Sequence, residues 1–186
     1  SGRSAPLCDP IAELQPLEPD LLINLSASPY GQGKAERRRQ LAGAAQRRLQ
    51  CPVLYVNQVG GNDELIFDGN SFVLDATGEL QEQLPCGESD LQIWDSDTPL
   101  SPTRPTLLSP EAELWRMLVL GVQDYARKCG FQKALLGLSG GIDSALVAAL
   151  AVAALGNQQV RALLMPSPYS SEGSLNDSLT DRKGVV

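Results

Sequence analysis

Ala134-Leu135-Leu136-Gly137-Leu138-Ser139-Gly140-Gly141-Ile142-Asp143-Ser144 runs without a break into the apolar stretch 145–155, ALVAALAVAAL. The first five residues have the composition of a short buried strand. The apolar stretch suits a helix and falls well short of the ~20 residues that a bilayer span needs. Between them, S-G-G-x-D-S forms a tight strand-to-helix turn. Gly140 and Gly141 admit φ values that a Cβ forbids, and they let a ligand approach the backbone. The free N–H groups of the helix's first turn then face the crevice, where the helix dipole favours an anion. Ser139 and Ser144 add hydroxyl donors. Asp143 repels a phosphate unless a divalent cation lies between them, and Mg²⁺ takes one or two carboxylates together with phosphate oxygens. The turn is neither G-x-x-x-x-G-K-[ST] nor G-x-G-x-x-G. A glycine-rich βα turn without a ligand is the plainer reading; Ser, Asp and Ser around adjacent glycines at a strand end argue against it.

The rest of the chain sets bounds on that reading. Its 186 residues are enough for one domain or two small ones, and 42% hydrophobic with 20% charged residues is the composition of a soluble globular protein. A net charge of −7 argues against a general nucleic-acid surface. No signal peptide and no run of spanning length are seen, so the expected compartment is the cytoplasm, with no membrane partner. Cys8, Cys51, Cys86 and Cys129 form no C-x-x-C pair, which points to neither a zinc site nor a disulfide framework. Histidine is absent. That removes Ser-His-Asp and Cys-His triads and imidazole metal sites.

In chain order, 1–19 is rich in Pro and polar residues, and 20–26 (DLLINLS) reads as a fully buried strand. Pro29 and two glycines make 27–33 a loop. Residues 34–50 read as a helix whose five arginines, alternating with Ala and Leu, form a solvated face rather than a phosphate patch. Residues 52–59 read as a second buried strand, 60–63 as a turn, and 64–67 and 71–74 as short strands joined at 68–70. From 81 to 110 five prolines among Ser, Thr and Asp read as an extended linker. Residues 111–128 form an amphipathic helix closed by Gly130. After the glycine turn, 160–165 reads as the next buried strand, giving a β-α-β unit with a right-handed crossover. Residues 166–173 read as a loop, and 174–177 offers a cap to a last helix.

A dinucleotide fold usually places Asp or Glu at the end of its second strand to hold a ribose. Here that strand ends Met165-Pro166-Ser167, with no acid. The glycine turn instead resembles the pyrophosphate-binding loop of the ATP pyrophosphatases, and with 165–174 (MPSPYSSEGS) it is similar to the synthetase domain of the NAD synthetases. Residues 24–34 (NLSASPYGQGK) and 55–72 (YVNQVGGNDELIFDGNSF) resemble the later half of a nitrilase-like glutaminase domain. That order is found in the glutamine-dependent NAD synthetase family. The resemblance implies an α/β chain of three parts. Residues 1–80 are the C-terminal half of a nitrilase-like α-β-β-α sandwich, 81–110 the linker, and 111–186 the truncated start of a parallel-sheet ATP-pyrophosphatase domain.

It also implies ATP and Mg²⁺ as cofactors, glutamine and deamido-NAD as further substrates, and a homo-oligomer in the intact enzyme. Glutamine would be hydrolysed in the first domain. Its ammonia would displace AMP from an adenylated nicotinate carboxylate in the second. ATP would be held by Gly137, Leu138, Ser139, Gly140, Gly141, Ile142, Asp143 and Ser144, with Asp143 on the metal. Ser28 and Lys34 match positions that grip the amino-acid end of glutamine. The family nucleophile sits in C-E-D-x-W, whereas Cys8 is followed by Asp9-Pro10-Ile11 and is not assigned that role. The nucleophile, Glu and Lys of the glutaminase are expected to be absent from these residues. Residues 180–186 depart from the family, and the chain reads as an internal segment of a longer enzyme. Two alternatives stand beside this: another amidotransferase with the same loop, against which 24–31 argues, and a non-catalytic nucleotide-binding fragment.

Overall fold

The structure, a computed structural model, describes residues 8–98 and 108–164. Its elements are α1 (Pro10–Leu14), β1 (Leu22–Ser26), α2 (Lys34–Leu49), β2 (Val53–Asn57), β3 (Val59–Asn62), β4 (Leu65–Asp68), β5 (Phe72–Leu74), β6 (Leu80–Gln83), α3 (Pro110–Cys129), β7 (Ala134–Leu138), α4 (Ile142–Leu155) and β8 (Val160–Leu164). They divide into two compact units, Ser1–Val59 with Phe67–Leu108, and Gly60–Ile66 with Ser109–Val186. Among the described residues no helix is long and apolar enough to cross a membrane. The expected 166–173 loop, the cap at 174–177 and the divergent 180–186 lie outside the described residues.

The first unit is a four-stranded sheet in the order β1-β2-β5-β6. β1 and β2 run parallel, Leu22 opposite Val53 to Ser26 opposite Asn57, with α2 as the crossover. β5 returns antiparallel to β2, and β6 antiparallel to β5. α2 turns a stripe of Arg38, Ala42, Gln46 and Leu49 inward at near-helical spacing. Ala42 joins Val53, Tyr55, Phe72 and Leu74 in the core, where the Tyr55 and Phe72 rings stack with centroids 5.1 Å apart. The helix stops at Gln50, which takes a left-handed conformation and returns its N–H to the Gln46 carbonyl.

Several expectations are corrected here. β1 is not buried on both faces: Ile23 and Leu25 are 55% and 79% exposed, because the side of β1 away from α2 is left uncovered by the described residues. Arg38 does not belong to a solvated face, being only 5% exposed. The chain does not turn at 60–63. Gly60, Gly61 and Asn62 lie in β3, and the reversal comes at Asp63 and Glu64. The two short strands expected on either side of 68–70 are present as β4 and β5, and they belong to different sheets, β4 pairing with β3 and β5 with β2. The regular pattern also does not end at 81. β6 continues to Gln83, and its polar side chains hide a strand held by backbone pairing and by Gln81, whose amide donates to Asp75 at 2.7 Å.

In the second unit α3 opens on Ser109, whose hydroxyl accepts from the Ala112 N–H, with Pro110 at the first helical position. It closes on Gly130 at φ 74°, whose N–H reaches the Ala126 and Arg127 carbonyls. β7 and β8 are parallel and in register from Ala134 opposite Val160 to Leu138 opposite Leu164, joined through α4. This is the expected β-α-β unit. β7 is buried only in part: Leu138 is 5% exposed and Leu135 is 65% exposed. Within the same unit the Gly61 N–H donates to the Asp124 carboxylate of α3 at 2.9 Å, and Lys128 donates to the Gly61 carbonyl. This explains why two glycines occupy a strand. A Cβ on Gly60 would stand 2.5 Å from Asp124 Oδ2.

Candidate functional site

The turn from β7 to α4 holds the first cluster. Gly140 sits at φ 80° and Gly141 is extended at φ −95°, so the chain reverses within two residues and enters α4 at Ile142. Ser144 ties the turn together. Its hydroxyl donates to the Gly141 carbonyl at 2.8 Å and accepts from Ser139 Oγ at 3.2 Å and the Ser139 N–H at 3.4 Å. The Gly141 N–H points at Ser139 Oγ at 3.4 Å. No side chain caps α4. A glycine at the cap position supplies no side-chain acceptor of its own to the first-turn amides, and an anion at the turn would meet several donors at once.

Of the eight residues assigned to this turn, Ser139, Gly141 and Ser144 are drawn together by these bonds and Leu138 anchors the strand end in the interior. The Ile142 side chain stands in the open at 85% exposure. Asp143 lies in the first turn of α4, exposed, and bonds to no described residue. Among the described residues no three carboxylate, thiol or imidazole groups converge on a metal site. A cation at Asp143 would take its other ligands from phosphate oxygens and water. That suits Mg²⁺, which keeps such a mixed set, better than an ion needing a protein cage.

The second cluster lies in the first unit, where the loop after β1 meets the start of α2. Lys34 Nζ donates to the Pro29 carbonyl at 2.9 Å. No described carboxylate lies within ion-pair distance of it. Ser28 is held from both sides of its backbone by Asn57, whose amide oxygen accepts from the Ser28 N–H at 2.9 Å and whose NH₂ donates to the Ser28 carbonyl at 3.1 Å. The same NH₂ reaches the Gly69 carbonyl at 3.1 Å. One turn along from Lys34, Arg38 donates from Nε to Ser28 Oγ at 3.1 Å and from Nη2 to the carbonyls of Ser28 and Pro29 at 2.9 and 3.1 Å. Its fork closes on both oxygens of Asp68, at 2.8 and 2.9 Å.

Sequence reasoning singled out Ser28 and Lys34 and did not single out Arg38, Asn57 and Asp68, which bond around them. The available signal was position: Arg38 occupies a place on the Ala42–Gln46–Leu49 stripe that an apolar side chain would normally fill. Cys8 is exposed, and its thiol donates to Glu13 at 3.4 Å. No Lys or Arg is among its described hydrogen-bond partners. Cys51 is buried, and desolvation raises its thiol above the usual range. None of the four cysteines is joined in a disulfide. On α3, burial pushes the Asp124 carboxyl up, yet the Gly61 N–H and the charges of Arg127 and Lys128 outweigh it and hold the group below the usual carboxylate range.

Two family models match the chain: carbon-nitrogen hydrolase over residues 12–102 and NAD synthase over residues 114–182. The glutamine-dependent NAD(+) synthetase of Synechocystis sp. is 47% identical over 95% of this chain and 33% of its own length. That of Rhodobacter capsulatus is 44% identical over 86% of this chain and 30% of its own length. Among solved structures, glutamine-dependent NAD+ synthetase from Acinetobacter baumannii, in complex with ADP, is 41% identical with a TM-score of 0.85. The match covers 95% of this chain and 35% of that one. The chain thus spans about a third of the length of the relatives it matches. The two matches follow one another in the order that the sequence implied.

Proposed function

We propose that the chain serves the ATP-dependent amidation of deamido-NAD to NAD, with ammonia drawn from glutamine. Supporting this are the joined hydrolase and synthase modules and relatives named for that reaction along nearly the whole chain. The observation that carries the reading is the start of α4, where amide donors and the Ser139–Ser144 pair surround a turn beside the Asp143 carboxylate, which bonds to no described residue. A pyrophosphate leaving group fits the donors. Ser139 and Ser144, with the amides of Gly141 and Ile142, would hold the β- and γ-phosphates while Gly137, Leu138 and Gly140 shape the turn beneath them. Asp143 would hold Mg²⁺. When bound, that ion offsets the charge that develops as pyrophosphate leaves the α-phosphate. The α-phosphate is attacked by the nicotinate carboxylate of deamido-NAD, and ammonia then displaces AMP from the adenylate.

Glutamine is assigned to the first unit, with Lys34 and Ser28 at its amino-acid end. The division into a first domain, a linker up to 110 and a last part at 111–186 is part of this proposal, as are a homo-oligomeric intact enzyme and a cytoplasmic location. The first domain extends beyond 80, through β6 to Gln83. The test is NAD formation by the full-length protein from deamido-NAD and Mg-ATP, with glutamine and with ammonia as separate nitrogen sources. Production of AMP and pyrophosphate in step with NAD is the expected result. ADP and phosphate in their place would refute the adenylation reading.

A further inference from the structure

We infer that Arg38, locked by Asp68, is a positioning residue that makes Ser28 a hydrogen-bond donor towards an anionic group of the bound substrate. The inference rests on the glutamine site proposed above and adds a residue to it. A serine hydroxyl has one proton and two acceptor lone pairs. Arg38 Nε donates into Ser28 Oγ at 3.1 Å and so occupies acceptor capacity. The hydroxyl proton must then point elsewhere, and no described residue accepts it. Lys34, one helical turn before Arg38, is likewise a cation with no described carboxylate partner. A hydroxyl proton at Ser28 and an ammonium on the Pro29 carbonyl therefore belong to one loop, and neither meets an anion among the described residues. An α-carboxylate satisfies both.

Arg38 itself is not available to substrate. It is 5% exposed, and its donors go to Ser28, Pro29 and Asp68. Asp68 is 1% exposed, and its Oδ2 also accepts from the Asn70 amide at 2.7 Å. Burying such a pair yields little net stability after desolvation, and an apolar pair of similar volume often does as well. What the pair supplies is direction. The planar fork fixes the guanidinium, and the guanidinium fixes both the hydroxyl and the two carbonyls of the loop.

The test uses the full-length protein with Arg38→Lys, which keeps the charge and loses the fork, beside Ser28→Ala and the double variant. Glutamine-driven and ammonia-driven NAD formation are both measured. The expected result for Arg38→Lys is a rise in the KM for glutamine of about tenfold, with kcat within about twofold and ammonia-driven synthesis unchanged. A residue acting through Ser28 should show coupling, so the double variant should lose far less than the product of the two single losses. If Arg38→Lys does not fold, Asp68→Asn carries the same measurement. An unchanged KM, independent single losses, or equal losses with both nitrogen sources in both variants would each overturn the inference. If the unaltered protein makes NAD from ammonia and cannot use glutamine, the glutamine site and this inference fall together. If it uses glutamine and the KM does not move, the inference alone falls.

Discussion

Replacing Lys34 with alanine should separate glutamine binding from the integrity of the loop that binds it. Lys34 Nζ makes one described contact, at 2.9 Å to the Pro29 carbonyl. That carbonyl keeps a second donor without it, Arg38 Nη2 at 3.1 Å, and Ser28 stays held by Asn57 and by Arg38. The loop thus loses one of several bonds, for which the net cost is about 0.5–1.5 kcal/mol. A drop of a few degrees in melting temperature is the expected size. The ligand loses more. A carboxylate deprived of a charge-assisted hydrogen bond gives up roughly 1.5–3 kcal/mol, about ten- to a hundredfold in affinity. The assay is a glutamine titration of NAD formation by the full-length protein, with ammonia as the control source. KM for glutamine should rise by that factor while the ammonia-driven rate holds. Equal losses with both sources would refute the reasoning, since they would mean that Lys34 supports the fold. An unchanged KM would remove it from the glutamine site.

At the other cluster, Asp143→Asn should keep the fold, because the side chain is exposed and bonds to no described residue. Mg²⁺-dependent NAD formation should fall by on the order of 10²-fold or more, and an unchanged rate at limiting Mg²⁺ would remove Asp143 from the metal. Asp124→Ala leaves the Gly61 N–H without its acceptor, which costs roughly 1–3 kcal/mol and should speed hydrogen exchange of that amide by about five- to 150-fold; unchanged exchange would show that the bond does not protect it. The Asp124 carboxyl is held below the usual range, so its contribution is fully present above the unfolded aspartate pKa of about 3.9. It is lost as pH falls through the folded value, and Gly61 protection should fade in that window and not near neutrality. Residues 1–186 alone should release no ammonia from glutamine, because Cys8 is followed by Asp9-Pro10-Ile11 in place of the family's E-D-x-W and has no Lys or Arg among its described hydrogen-bond partners. Release that is abolished by Cys8→Ser would reverse that assignment.

How much was legible in the sequence depended on whether an element was local. The helix ends were legible because their determinants are neighbours: Ser109 and Pro110 at one end of α3, Gly130 at the other. The β7 turn was legible for the same reason, its whole constellation lying within 137–144. β6 was not, since Gln81, Glu82 and Gln83 look like linker until Phe72 and Val73 are placed opposite them. Burial of Arg38 was invisible because its cause is Asp68, thirty residues on. DLLINLS read correctly as a strand, while its second face depends on what packs there, which no local pattern encodes.

The two clusters should therefore differ in how they fail. At the α4 turn the principal donors are backbone amides, which no substitution deletes. Damage comes through the glycines, since a side chain on Gly140 at φ 80° meets a left-handed strain of roughly 1–2 kcal/mol. In the Ser28 cluster the directing groups are side chains, those of Lys34, Arg38 and Asn57, braced by Asp68. Each can be truncated singly, and each loss propagates through shared acceptors at Ser28 and Pro29. Substitutions there should show coupling across residues distant in the chain, and substitutions at the turn should act nearly independently of them.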